Sequence, residues 1–173
     1  MAKAKRFYNS KDKPPQWDAK GNALCRWCSK PVPKRSRTWC SKACIHEYRI
    51  RADGGYLRSC VLFRDKGKCK RCGFDCGALL SELRGLGEEY RKPATTHERR
   101  FEIRQRMRAV RDLGFPVHVN DEGQGGIPGV ASSLWQADHI NPVAEGGGLC
   151  GLDNIQTLCL PCHKAKTALM GKS

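Results

Sequence analysis

The sequence predicts a small α+β fold that relies on clustered cysteines as much as on apolar packing. Three observations predict it. Of 173 residues only 39% are apolar, and that share includes 11 cysteines, so the core is modest. Most of the cysteines fall into closely spaced pairs. Helical periodicity covers the middle of the chain, whereas "WQADHINPV", residues 135–143, reads as a strand.

No run approaches the roughly 18 apolar residues of a membrane helix. The N-terminal "MAKAKRFYNSKDK" lacks the apolar stretch of a secretory leader. These features predict an intracellular location, cytoplasmic in a bacterial or phage setting and nuclear in a eukaryotic one, with no membrane partner. In a reducing compartment many cysteines argue for metal rather than disulfides. Cys25-x2-Cys28, Cys69-x2-Cys72 and Cys159-x2-Cys162 are three knuckles, and Cys40-x3-Cys44 is a fourth pair. Two such pairs complete a tetrahedral structural zinc site, so four pairs allow two structural zinc ions. Cys60, Cys76 and Cys150 read as small buried apolar residues.

The formal net charge is +15, from 32 basic and 17 acidic residues. Residues 1–51 alone carry 14 Lys/Arg against 3 Asp/Glu. A basic, zinc-rich chain points to nucleic acid through counterion release from phosphates. An amphipathic helix with Trp or Phe on one face, which a membrane surface would need, is missing.

Residues 1–23 read as a basic flexible arm containing Pro14-Pro15. Residues 24–53 form an N-terminal zinc module with a treble-clef-like layout: a knuckle, the basic turn "KPVPKRSR", then a helix capped by Ser41. Its ligands are Cys25, Cys28, Cys40 and Cys44. Arg35 and Arg37 are candidate nucleic-acid contacts, and His46 is a packing or phosphate-contact residue. Residues 54–67 form a helix with Tyr56, Leu57, Cys60, Val61 and Phe63 on one face and Gly67 as its C-cap.

A helical insert follows over residues 77–133. Its first helix carries Leu79, Leu80, Leu83 and Leu86. Its second starts at the capping-box pattern Thr95-x2-Glu98 and ends at Gly114. Ile103, Met107 and Val110 make a core stripe, and six arginines cover the rest of that helix. Arg104 and Arg108 are candidate nucleic-acid contacts, with a solvated basic face as the alternative. Residues 116–133 read as a Gly-rich loop, and His97 and His118 as structural or surface residues.

Asp138 and His139 sit side by side among Trp135, Ala137, Ile140 and Val143. Two ionisable groups there are costly unless a partner or a metal offsets them. The Gly-rich turn "AEGGGLCGLDN" follows, with Gly148 preceded by two more glycines, and ends at Asn154. The last knuckle then leads into His163 and a helix starting near Cys162 or His163 and running to Met170. If Cys162 points at zinc, His163 occupies another face, with Lys166 and Thr167 one turn further on. A strand splays Asp138 and His139 onto opposite faces. A helix across this hairpin would bring His163 beside Asp138, and the two would hold a divalent cation with positions open for phosphate and water. His139 is then free to accept a proton from water. One base, one metal and a basic cradle are the requirements of phosphodiester hydrolysis.

The pattern "DHI-x-PV…GGG…LDN…QTLC-x2-CH-x2-K" resembles the HNH endonucleases, whose ββα-metal (His-Me finger) core is a hairpin and a helix around one cation. The upstream cysteine module is similar to one that precedes such a core in an animal annealing helicase and in stand-alone bacterial and phage relatives. The resemblance implies a nuclease domain over residues 54–173. It implies His139 as general base and Asp138 and His163 as ligands of Mg2+, Mn2+ or Ni2+. Asn154 would orient the hairpin and, through it, the base, and Lys166 would meet a phosphate. Cys69 and Cys72 would share a structural zinc with Cys159 and Cys162, across the 87 positions that separate Cys72 from Cys159. The expected substrate is DNA, double-stranded or branched, cut to a 5′-phosphate and a 3′-hydroxyl. With one active site per chain, a monomer would nick. The rival expectations are a non-catalytic zinc-dependent nucleic-acid-binding module and a nuclease subunit active only within a larger complex.

Overall fold

A computed structural model describes residues 15–119 and 128–170. The first fourteen positions of the expected basic arm lie outside the described residues. The elements in chain order are β1 (Gln16–Trp17), β2 (Ala23–Leu24), α1 (Lys42–Ala52), α2 (Gly54–Asp65), α3 (Cys76–Arg91) and α4 (His97–Asp112). They continue with β3 (Val117–His118), β4 (Gly129–Val130), β5 (Trp135–His139), β6 (Ile155–Cys159) and α5 (Leu160–Met170). The strands pair as β1-β2, β3-β4 and β5-β6, so the protein is α+β. The chain forms two compact units, Met1–Arg64 with His139–Gln156, and Asp65–Asp138 with Thr157–Ser173.

In the first unit, β1 and β2 are antiparallel, with Gln16 opposite Leu24. The Asp18 carboxylate closes their turn by accepting from the N–H groups of Lys20 and Asn22. Ser41 caps α1 as expected, its hydroxyl accepting from the Cys44 N–H. Asp53 ends α1 and its carboxylate accepts from the Tyr56 N–H, so α2 starts at once. Val61 is fully buried, but Phe63 is 78% exposed, against the expectation that both share a face. Two helical residues lie about 200° apart around the axis, so a stripe built on Val61 turns Phe63 outward. Cys60 and Cys150 are half-buried, so of the three unpaired cysteines only Cys76 is the buried apolar residue expected.

The second unit holds the apolar core of the insert. Asp75 caps α3 by accepting from the Ala78 N–H. Leu79 and Leu83 are buried, while Leu80 and Leu86 flank them. From α4 the stripe Ile103, Met107 and Val110 is buried as expected. The cap of α4 is Thr96, one residue later than the expected Thr95. Thr95 instead donates its hydroxyl to the Glu89 carbonyl, closing the α3–α4 connection, and leaves the Arg99 N–H to Thr96. Within the expected loop 116–133, β3 and β4 form a hairpin with Val117 opposite Val130. β3 lies against α4 and β4 against α3, so tertiary packing orders strands too short to show periodicity. Residues 120–127 of that stretch lie outside the described residues.

The arginines of α4 serve this unit. Arg99 pairs with Glu89 at 2.7 Å and with Glu102 at 2.9 Å, and Arg106 pairs with Glu82 at 2.6 Å. The guanidinium hydrogen bonds hold the Glu82 and Glu89 carboxyls below their usual range. These pairs therefore stabilise the folded state at neutral pH, and that contribution fades as pH falls through the lowered carboxyl range.

β5 and β6 run in opposite directions: Leu160 N–H donates to Leu134 O near one end and Ile140 N–H to Asn154 O near the other. The strand ends at His139 rather than Val143, because Pro142 has no N–H to offer a ladder and a short 3-10 turn takes over at Val143–Glu145. Helix α5 begins at Leu160, ahead of the expected Cys162 or His163. Pro161 suits a first helical turn, where its missing N–H has no intrahelical partner to lose. Among the described residues no helix is long and apolar enough to cross a membrane.

Leu83 is completely buried on α3. Leu83→Ala is expected to destabilise the protein by about 2–5 kcal/mol, read from its denaturation midpoint, whereas Leu80→Ala should cost clearly less.

Candidate functional site

Each knuckle is built by the same local bonds. Cys69 N–H donates to Phe74 O and Gly73 N–H to Cys69 O; Cys25 N–H donates to Lys30 O and Ser29 N–H to Cys25 O. The turn needs a left-handed residue after the second cysteine. Gly73 supplies it at φ +73°, while Ser29 adopts φ +58° at the cost a side chain incurs there, about 1–2 kcal/mol. The result is two clusters, Cys25/Cys28/Cys40/Cys44 and Cys69/Cys72/Cys159/Cys162, with all sulfurs in each within 4.8 Å of one another. The Cys28–Cys40, Cys40–Cys44 and Cys72–Cys159 sulfurs are 3.4, 3.4 and 3.8 Å apart. Disulfide sulfurs sit about 2.05 Å apart, so these thiols are not bonded to one another. Zinc–sulfur bonds of about 2.3 Å give a tetrahedral edge near 3.8 Å, so both clusters fit a structural zinc.

The surroundings favour the thiolate at one cysteine of each cluster and oppose it at others: burial pushes the Cys159 and Cys162 thiols up, and hydrogen bonds with Cys28 and Cys44 push Cys40 up to about 12. Burial opposes ionisation of Cys69, but the N–H groups of Cys159, Cys72 and Arg71 outweigh it and bring the thiol down to about 6. Cys25 is likewise brought to about 6, burial being outweighed by the N–H groups of Cys28, Cys40 and Trp27. Outside both clusters, burial, reinforced by the neighbouring cysteine charges, pushes Cys76 up to about 12. It stays a neutral thiol beside the cluster.

In the second unit, Asp138 on β5 meets two residues of α5. Its Oδ1 lies 3.7 Å from His163 Nε2, and its Oδ2 accepts from Lys166 Nζ at 2.6 Å. The carboxylate is largely buried, with 15% of its side chain exposed. Oδ1 and Nε2 are an oxygen and a nitrogen that could hold one cation between them. Lys166, expected at a phosphate, instead holds the other carboxylate oxygen, because three residues along α5 place it on the face of His163.

In the first unit, Asn154 closes the turn that follows His139. Its Oδ1 accepts from Asn141 N–H at 2.8 Å, and its Nδ2 donates to the carbonyls of Asn141 and Gly147, both at 3.1 Å. Both donors of the amide and its oxygen are thus spent on backbone. A Cβ at Gly147 would sit 2.0 Å from Asn141 O and 2.7 Å from Asn154 Nδ2.

Arg35 and Arg37 are exposed on the N-terminal module. Arg104 donates to Tyr90 OH at 3.1 Å, and Arg108 is half-buried on α4. His46 packs rather than projects, its Nδ1 2.7 Å from Tyr56 OH. Two residues have no signature in the sequence. Arg51 donates to Glu47, lies 4.5 Å over the Trp27 ring, and comes within 3.5 Å of where a Gly151 Cβ would be. Arg64 donates to the carbonyls of Leu152 and Ile155. Carbonyl acceptors leave no side-chain pattern, which is why the role of Arg64 is not legible in advance.

Two measurements check these assignments. The purified chain is expected to hold two zinc ions, falling to one or to an unfolded chain in Cys159→Ser and remaining two in Cys76→Ala. Gly147→Ala is expected to destabilise by about 3 kcal/mol or more, measured by thermal unfolding, because the added Cβ meets a backbone oxygen that cannot move aside.

Residues 126–169 match the HNH endonuclease family. The chain is 34% identical over 169 residues to the Mus musculus protein named DNA annealing helicase and endonuclease ZRANB3. It is 34% and 33% identical over 166 residues to the Homo sapiens and Bos taurus proteins of the same name. Each comparison covers 90% of this chain, which spans only 14% of the length of those relatives. No solved structure matches it. The residues that match the HNH endonuclease family, 126–169, carry β5, the Asn154 turn, the last knuckle and nearly all of α5.

Proposed function

We propose that this chain is a metal-dependent DNA endonuclease in which His139 is the general base and Asp138 and His163 hold a divalent cation. The observation that carries this reading is Asp138 Oδ1 facing His163 Nε2 at 3.7 Å, with His139 the next residue on β5. An imidazole nitrogen of His139 takes the proton from the attacking water. Near neutral pH an ordinary histidine has enough neutral form to do so. A cation such as Mg2+, Mn2+ or Ni2+ at Asp138 and His163 would supply stabilisation of the charge that builds on the phosphate and the leaving 3′-oxygen. Lys166 fixes the direction of the Asp138 carboxylate. Asn154 holds the backbone at Ile140 and Asn141, immediately after the base. Structural zinc in the two cysteine clusters supports both units. The net charge of +15 draws the polyanion, with Arg35 and Arg37 exposed for phosphate contact.

One observation favours a second reading. The Lys166 ammonium already neutralises Asp138, as in a module that binds nucleic acid without cutting it. Supercoiled plasmid separates the two. Wild type is expected to nick it only with added Mg2+, Mn2+ or Ni2+, and His139→Ala to lose at least about 100-fold in rate while retaining binding. Equal cutting by His139→Ala would remove the base assignment. Retention of plasmid without cutting, in every metal, would favour the binding module.

A further inference from the structure

The turn at Leu152–Asn154 is gripped from a distant part of the sequence. Arg64, at the last turn of α2, sends Nη1 to Leu152 O at 2.6 Å and Nη2 to Ile155 O at 2.7 Å. The partners are 88 and 91 positions away in sequence, within the same compact unit. The two carbonyls bracket Asn154. A planar guanidinium presents two donors at a fixed spacing, so it fixes both the separation and the tilt of the acceptors, which a single ammonium cannot do. Both bonds are charge-assisted and short.

What Arg64 holds is itself a holder. Asn154 uses its side-chain amide on Asn141 and Gly147 and its own carbonyl on the Ile140 N–H. Ile140 and Asn141 directly follow His139, the last residue of β5. A shift at Leu152 or Ile155 therefore moves Asn154 through the chain and reaches the backbone beside His139 through the hydrogen bonds of Asn154. Gly147 tightens the linkage, since Asn141 O lies where its Cβ would be and leaves no slack in the turn. Arg51 borders the same turn at Gly151, so two arginines from successive helices back this segment.

We propose that Arg64 is a positioning residue for His139, acting through the Leu152–Ile155 carbonyls and the Asn154 amide, an inference that rests on the nuclease reading for its catalytic consequence. Arg64 does not touch the substrate. It aims the base, so its loss acts on the chemical step rather than on binding.

The test uses the full zinc-loaded chain and two readouts. The first needs no activity: the Asn154 side-chain amide protons by NMR, with backbone amides of Cys28 and Cys44 as internal reference. In Arg64→Ala the Asn154 amide signals are expected to shift and exchange faster while the reference amides stay in place. The second is plasmid nicking, with kcat falling about ten- to a hundredfold at unchanged KM. Added guanidinium ion should restore part of that loss, and Arg64→Lys should not, because one ammonium cannot span both carbonyls. Arg64→Lys also serves if Arg64→Ala fails to fold. Asn154 signals that do not respond to either variant overturn the proposal, as does full kcat with a disturbed Asn154. A wild type that fails to nick while Asn154 still responds to Arg64→Ala would sink the nuclease reading and leave Arg64 as the anchor of the turn.

Discussion

Cys69 and Cys72 meet Cys159 and Cys162 across most of the length of the second unit, and the fold there depends on that meeting. Cys159 is the last residue of β6 and Cys162 lies in the first turn of α5. The cluster therefore fixes where the strand stops and how the helix is rotated as it begins. His163 and Lys166 reach Asp138 only because α5 has that rotation. A chain with 39% apolar residues has little other means of imposing it. The four thiols, one of them held near 6 by knuckle N–H groups, offer a binding free energy that becomes folding free energy.

A second constraint of a different kind acts in the first unit. The stretch after His139 contains Asn141, Pro142 and Gly146–Gly148, and no regular ladder can form through it. Its backbone groups still need partners. Asn154 supplies them from one side chain, and Arg64 supplies partners to the carbonyls on either side of Asn154. An irregular turn is thereby held as firmly as a sheet. Helix α2 therefore contributes structure to this turn.

The charge of the molecule also divides by role. Arg99 and Arg106 on α4 are paired with carboxylates, two of which lie on α3. Arg35 and Arg37 on the N-terminal module are exposed. Counting arginines along a helix therefore overstates what it offers a polyanion, because part of the charge serves to join helices. Exposed pairs of this kind contribute little each, and their value here is registry between α3 and α4.

Chemical spacing was legible in the sequence and reach was not. The four cysteine pairs, the Ser41 cap, the Ile103–Met107–Val110 stripe and the order Asp138, His139, Asn154, His163 can all be read locally, because each rests on contacts one turn or one strand long. Offsets of one to three residues, at Thr95 against Thr96 and at the start of α5, arise where a hydroxyl or an N–H has two partners within reach and the surrounding structure chooses between them. The short strands β3 and β4 exist only against α4 and α3. The tertiary structure alone decided that Lys166 sits on Asp138, that Gly147 has no room for a side chain, and that Arg64 holds the Asn154 turn. By itself the sequence determined which residues could do chemistry or bind metal, since those are properties of residue type and short spacing. Only folding decided which of them are aimed and by what, since aim depends on backbone groups that no side-chain pattern records.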